Sequence, residues 1–265
     1  MHFPLEIIGY LAAILMGGVL GGIGGGGSIL TVPILVYLMK IDPIVATGYS
    51  LLIVGAAAGF GAFRYWRKGL VPVQEALTFA IPSIIGVYLT RAYIVPNLPD
   101  PLLTAPIVVS RGDFIMVLFG GLMVLASAMM LRGSRKEAPV EIVKPKVALI
   151  IAEGLFVGFI TGILGAGGGF LIIPALVLFV GLPMKQAVGA SLMIIALKSL
   201  IGFIGDLQAG IPLQMPMLAI FFGCTFLGMW IATHFADGFD GKKLQKFFAY
   251  FTIVVAVIIF IEEIL

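Results

Sequence analysis

The chain has 265 residues, of which 61% are hydrophobic and only 11% charged, and its formal net charge is +3. Mean hydropathy is +1.18, whereas an ordinary soluble domain carries about 25% charged residues. These values exclude an ordinary soluble domain. The long runs are apolar on every side instead of alternating, which excludes a β-barrel, and no long basic arm points to nucleic acid.

The first apolar segment, 4–23, has neither a basic n-region nor a small-residue cleavage site, so it reads as a retained span and not a signal peptide. Segments 28–39, 44–63, 72–95 and 113–131 follow. "RGSRKEAPVEIVKPK", Arg132–Lys146, is the longest hydrophilic interval, after which come 147–165, 169–180, 186–204, 212–235 and 247–264. A membrane-crossing helix needs about 20 apolar residues. The expectation is an all-α polytopic membrane protein, multi-pass in the cell inner (plasma) membrane with the lipid bilayer as a partner. It divides into a first transmembrane repeat over 1–131, a cytoplasmic linker over 132–146 and a second repeat over 147–265.

The repeat is visible residue by residue. Sliding 17–70 onto 158–211 aligns them without a gap and gives 16 identities in 54 positions. Gly21, Gly24, Gly26 and Gly27 fall on Gly162, Gly165, Gly167 and Gly168, and Pro33 falls on Pro174. Gly48, Ser50, Gly61 and Gly69 fall on Gly189, Ser191, Gly202 and Gly210. Apolar composition raises chance matches of Leu and Val, but not of Gly, Pro and Ser.

Charge orients the halves. If each half makes five passes, with 28–39 and 169–180 counted separately, 12 of the 16 basic residues fall on the cytoplasmic side with the linker. The positive-inside rule favours this arrangement. An odd number of passes turns the second half over, so the sequence predicts inverted-topology repeats of about five segments each, with both termini outside.

"GGIGGGGSILTVPIL", Gly21–Leu35, spells the dinucleotide-binding pattern of glycines. It follows an apolar helix-length segment instead of a strand, and the next acidic residue, Asp42, comes only 15 positions after Gly27 and behind another apolar segment, so that reading fails. Gly17 and Gly21, with Gly158 and Gly162, suit close helix packing. Four consecutive glycines exceed that need. Gly24, Gly25, Gly26 and Gly27 are expected to break the helix, as are Gly167, Gly168 and Gly169 in the second half. Paired interruptions at matching places point to a transporter's central site, and the N-termini that follow suit an anion.

"GGIGGGGSILTVPIL" and "GILGAGGGFLIIPAL", followed by "ATGYSLLI" and "AVGASLMI" at the same distance, resemble the TauE/SafE sulfite exporter family, also called TSUP. The resemblance covers essentially the whole chain. It implies a transporter of small sulfur oxyanions such as sulfite, thiosulfate or organosulfonates, with no cofactor. The mechanism expected is alternating access at a site between two Gly-broken helices, by facilitated diffusion or with a coupling ion, proton or sodium.

Several side chains are candidates for that site. Ser28 follows the first break. Ser50 and Ser191 sit early in the next helices, where a hydroxyl either meets the anion or bonds the preceding turn. Lys198, in the apolar "SLMIIALKSLIGF", is the sharpest: an ionisable group at membrane depth faces a cavity or a partner unless it snorkels. Glu153 and Asp206 are its possible partners and possible coupling or gating groups, with Asp206 expected in the loop after 186–204. Arg91 and Arg111 read as loop cations, with an electropositive vestibule as the alternative. His2 and His234 are far apart and support no metal site, and Cys224 reads as a small buried side chain. Two other classes compete: an intramembrane Ser-Lys enzyme using Ser191 and Lys198, and a structural subunit. Within transporters, a carrier of another small anion or a cation is the alternative.

Overall fold

A computed structural model describes residues 3–23, 25–102, 109–133, 147–178, 180–235 and 241–264. Gly24 and most of the linker, 134–146, lie outside the described residues. The first half contains α1 (Phe3–Ile23), a 3-10 segment Gly25–Leu30 running into α2 (Thr31–Pro33) and a π turn Ile34–Leu38, then α3 (Pro43–Arg67). It continues with α4 (Val73–Leu89), a π turn Thr90–Ile94 with α5 (Val95–Asn97), and α6 (Arg111–Gly133). The second half contains α7 (Val147–Leu164), α8 (Gly169–Leu178), α9 (Met184–Gln208), α10 (Met215–Phe235) and α11 (Gly241–Ile264).

Among the described residues, five helical stretches are long and apolar enough to cross a membrane: Pro43–Arg67, Val73–Asn97, Arg111–Met129, Met184–Gln208 and Met215–His234. Shorter apolar helices lie beside them. Large apolar side chains such as Leu15, Ile81, Phe156 and Ile204 stay exposed, as expected where the solvent is lipid. This is a multi-pass helical membrane protein.

Local signals explain where the helices start and stop. Asp42 caps α3, its carboxylate accepting from the Ile44 and Val45 amides, and Pro43 supplies the first helical residue. Gly69 and Gly210, equivalent in the two halves, end α3 and α9 with positive φ. Leu70 N–H donates to the Tyr65 carbonyl and Ile211 N–H to the Asp206 carbonyl, the same glycine-closed C-terminus in both copies. The turn after each broken segment repeats too: Ile41 N–H donates to Leu35 and Leu182 N–H to Leu176. The duplication therefore survives as identical backbone hydrogen bonds.

Packing repeats with the partners exchanged. Gly17 of α1 lies on the Thr225 carbonyl of α10, while its equivalent, Gly158 of α7, lies on the Ser83 carbonyl of α4. A Cβ at either position would collide with backbone, so the small residue is what lets the helices approach. The α3–α9 pair is the most deeply buried, with 67% and 72% of the apolar window inside against 28% for α10. These two equivalent helices run antiparallel: Gly48 meets Asp206, Gly55 meets Ser199 and Leu200, Gly59 meets Ala196, and Gly61 meets Leu192. Ala57 and Lys198, equivalent by the repeat, are level with the middle of that crossing.

Candidate functional site

The two broken segments meet in the centre. In the first half the chain reverses after α1 and packs back along it. Gly27 lies against Leu20 and the Met16 carbonyl, and the Thr31 hydroxyl reaches the Met16 sulfur at 2.8 Å. Leu38 and Met39 come back to Gly9. In the second half α7 ends at Leu164, and 165–168 form an irregular turn in which Gly165, Gly167 and Gly168 all have positive φ. Side chains rarely adopt that backbone, which is why glycine fills the break.

The contact between break and preceding helix is the same in both copies. Gly27 lies against Leu20, and Gly168 lies against Thr161, its equivalent. The two breaks then touch. Gly25 and Gly169 leave no room for a Cβ between them, and Gly167 lies against Ser28 and Val54. Gly165 lies on Thr47 of α3.

Charge enters from one half only. Lys198 is fully buried, and its Nζ donates to the Thr161 hydroxyl at 2.5 Å. A Cβ on Gly168 would stand 2.9 Å from that same Nζ, so the ammonium lies beside the turn that opens α8. The first-half equivalents of Thr161 and Lys198 are Leu20 and Ala57, so the polar pair has an apolar counterpart across the crossing. Among the described residues Lys198 has no carboxylate partner. It does not snorkel.

The expected serines separate. The Ser28 hydroxyl donates to the Gly25 carbonyl at 2.6 Å, and that of Ser191 donates to Val188 at 2.9 Å. Both are engaged by their own backbone. Ser50 is fully buried, and among the described residues its hydroxyl has no partner. It lies one turn before Val54 and one after Thr47, both of which touch the second break. Ser191 and Lys198 bond to different groups and form no dyad.

Three expectations change. Asp206 is not in a loop, because α9 runs on to Gln208 before Gly210 closes it. Nor are Asp206 and Glu153 the partners of Lys198. Asp206 is 4% exposed and pairs with Arg91 at 3.2 Å. Arg91, expected as a loop cation, is fully buried on the π turn that continues α4. Glu153 sits in the second turn of α7, with its Oε2 buried and unpartnered. The Lys198–Thr161 and Arg91–Asp206 pairs had one faint signal in the sequence: Thr161, Lys198 and Asp206 all stand where the first half has an uncharged residue. Gly24 lies outside the described residues, and Gly26 is in the 3-10 segment.

A family model described as Sulfite exporter TauE/SafE matches residues 10–259. The chain belongs to the TauE/SafE family. Its relatives are named as membrane transporters, not enzymes. A probable membrane transporter protein of Xylella fastidiosa is 30% identical over 250 residues, 92% of this chain and 90% of that protein. One from Methanocaldococcus jannaschii is 30% identical over 210 residues, 77% and 72% of the two chains. Probable membrane transporter protein YunE of Bacillus subtilis is 29% identical over 243 residues, 81% and 83% of the two chains. No solved structure matches. This TauE/SafE protein is therefore a multi-pass membrane transporter whose second glycine-rich break lies beside a buried lysine.

Proposed function

We propose that this transporter moves small sulfur oxyanions, such as sulfite, thiosulfate or an organosulfonate, by alternating access at the junction of the two breaks. The observation that carries the proposal is Lys198: a fully buried amine without a carboxylate partner among the described residues, beside Gly168 and the start of α8. An unpaired charge in the interior is costly, and a bound anion offsets that cost. The α8 N-terminus adds free N–H groups and the positive end of its dipole. Ser50 brings an unengaged hydroxyl on the facing helix.

An inverted arrangement of the 1–131 and 147–265 repeats would suit alternating access, and the antiparallel α3–α9 pair and exchanged packing such as Gly17 on α10 and Gly158 on α4 support that reading. Rocking one repeat against the other about the Ala57–Lys198 level would expose the anion to one side and then the other. The family's description as sulfite exporters favours sulfur oxyanions over other small anions. Glu153 is the candidate carrier of a coupling proton.

The test is thermal unfolding of the purified protein in detergent with sulfite, thiosulfate, sulfate, sulfoacetate or taurine, alongside flux into sealed proteoliposomes. At least one sulfur oxyanion is expected to stabilise the wild type and to be transported, and Lys198→Met is expected to abolish both effects. Stabilisation and flux that survive in Lys198→Met would overturn the site. The absence of any anion effect in the wild type would overturn the substrate class.

A further inference from the structure

We infer that Arg91 is a second oxyanion station on the transport path, held closed by Asp206 until an incoming anion takes the carboxylate's place. The inference rests on the anion-transport reading above but uses different residues. Among the described residues Arg91 heads the fully buried side chains by size, yet it makes a single hydrogen bond, Nη1 to Asp206 Oδ1 at 3.2 Å. Its Nε and Nη2 and the other carboxylate oxygen, Oδ2, are buried without partners. A guanidinium and a carboxylate placed for stability pair through two parallel bonds. Here the fork is offset, and most of its donors are left over. Unsatisfied charged donors in the interior are expensive, so this contact is a poor fastener.

It is a better receptor. An XO3-type oxyanion offers several acceptor oxygens to the free Nε and Nη2, the planar fork for which arginine is suited. Glycines pack directly against both members of the pair. Gly205 lies against the Arg91 Cβ, and Gly48 faces Asp206 Oδ2, where a Cβ would stand 3.1 Å away. A side chain at either glycine would press on the pair. Arg91 also sits on the π turn Thr90–Ile94, an irregularity frequent at functional sites.

The pair connects to the central site. Asp206 and Lys198 lie eight residues apart on α9, about 12 Å along the helix. Between them, Gly48 touches Asp206, the neighbouring Thr47 carries Gly165, and Gly168 lies beside Lys198. The position equivalent to Asp206 at the opposite end of the α3–α9 pair is Tyr65, so the charged station belongs to one end of the path.

The test uses the full chain with sulfite and thiosulfate as probes. Asp206→Asn frees Arg91 and is expected to raise the number of anions bound per chain from one to two by calorimetry. The double variant Arg91→Gln/Asp206→Asn removes both charges and leaves no uncompensated ion, so it is expected to fold and to bind one anion at the central site. Its flux in proteoliposomes is expected to fall about tenfold or more, the scale of one charge-assisted hydrogen bond. If the double variant transports like the wild type, the pair is only a structural lock and the inference fails. It fails equally if Asp206→Asn still binds one anion. If the wild type itself neither binds nor transports these anions, the transport reading fails and takes this one with it.

Discussion

Ser50 and Ser191 occupy equivalent positions, but the fold gives them different hydrogen-bonding states. Ser191 spends its hydroxyl on Val188, whereas Ser50 is buried with nothing to bond. Removing an unpaired buried hydroxyl relieves a desolvation cost of about 1 kcal/mol. Ser50→Ala is therefore expected to leave the anion-free protein as stable or slightly more so, while weakening anion binding. Ser191→Ala is expected to leave binding unchanged. Melting curves with and without sulfite check both; equal losses of affinity in the two variants would count against the assignment. Lys198 follows the same logic more strongly. Lys198→Met is expected to raise the melting temperature of the anion-free protein, since it replaces an unpaired buried amine with an apolar side chain of similar size. A fall in that temperature would mean that the Thr161 contact is structural.

At the scale of elements, glycine serves two distinct purposes here. Gly17 and Gly158 are packing residues whose missing Cβ admits a neighbouring carbonyl. Gly121 and Gly223, in α6 and α10, meet nothing within 4 Å. Gly17→Ala or Gly158→Ala is expected to cost about 1–3 kcal/mol through overpacking. Gly121→Ala or Gly223→Ala is expected to be neutral or to gain up to about 1 kcal/mol from helix propensity. Unfolding of the four variants in detergent separates the classes, and equal effects would undo the distinction. The breaks are different again. Gly165 and Gly168 hold backbone that other residues avoid, so alanine there is expected to impair the site even where space allows.

For the whole molecule, the remaining question is orientation in the bilayer. The excess of basic residues beside the linker predicts both termini on the outer face. Single cysteines near each terminus, in a Cys224→Ser background, are expected to react with an impermeant maleimide added to intact cells. Labelling of only one terminus would sink the five-plus-five arrangement. The antiparallel α3–α9 pair fits such an arrangement, because turning one copy over makes equivalent helices point opposite ways.

The amino-acid sequence by itself determined the class, the duplication and the breaks. A bilayer imposes long apolar helices, and Gly, Pro and turn residues meet backbone requirements that remain recognisable while Leu, Ile and Val drift. Identical hydrogen bonds after 35–41 and 176–182 reflect that persistence. What only the tertiary structure decided was the pairing of polar groups. Thr161 and Lys198 are 37 residues apart, and Arg91 and Asp206 are 115 apart. In a chain where lipid-facing and core-facing positions are equally apolar, hydrophobic periodicity does not tell which face of a helix points inward. Antiparallel packing of α3 on α9 selected those faces. It turned Asp206 from an apparent loop residue into the partner of Arg91, and left Lys198 at the centre bonded to Thr161 and, among the described residues, without a carboxylate.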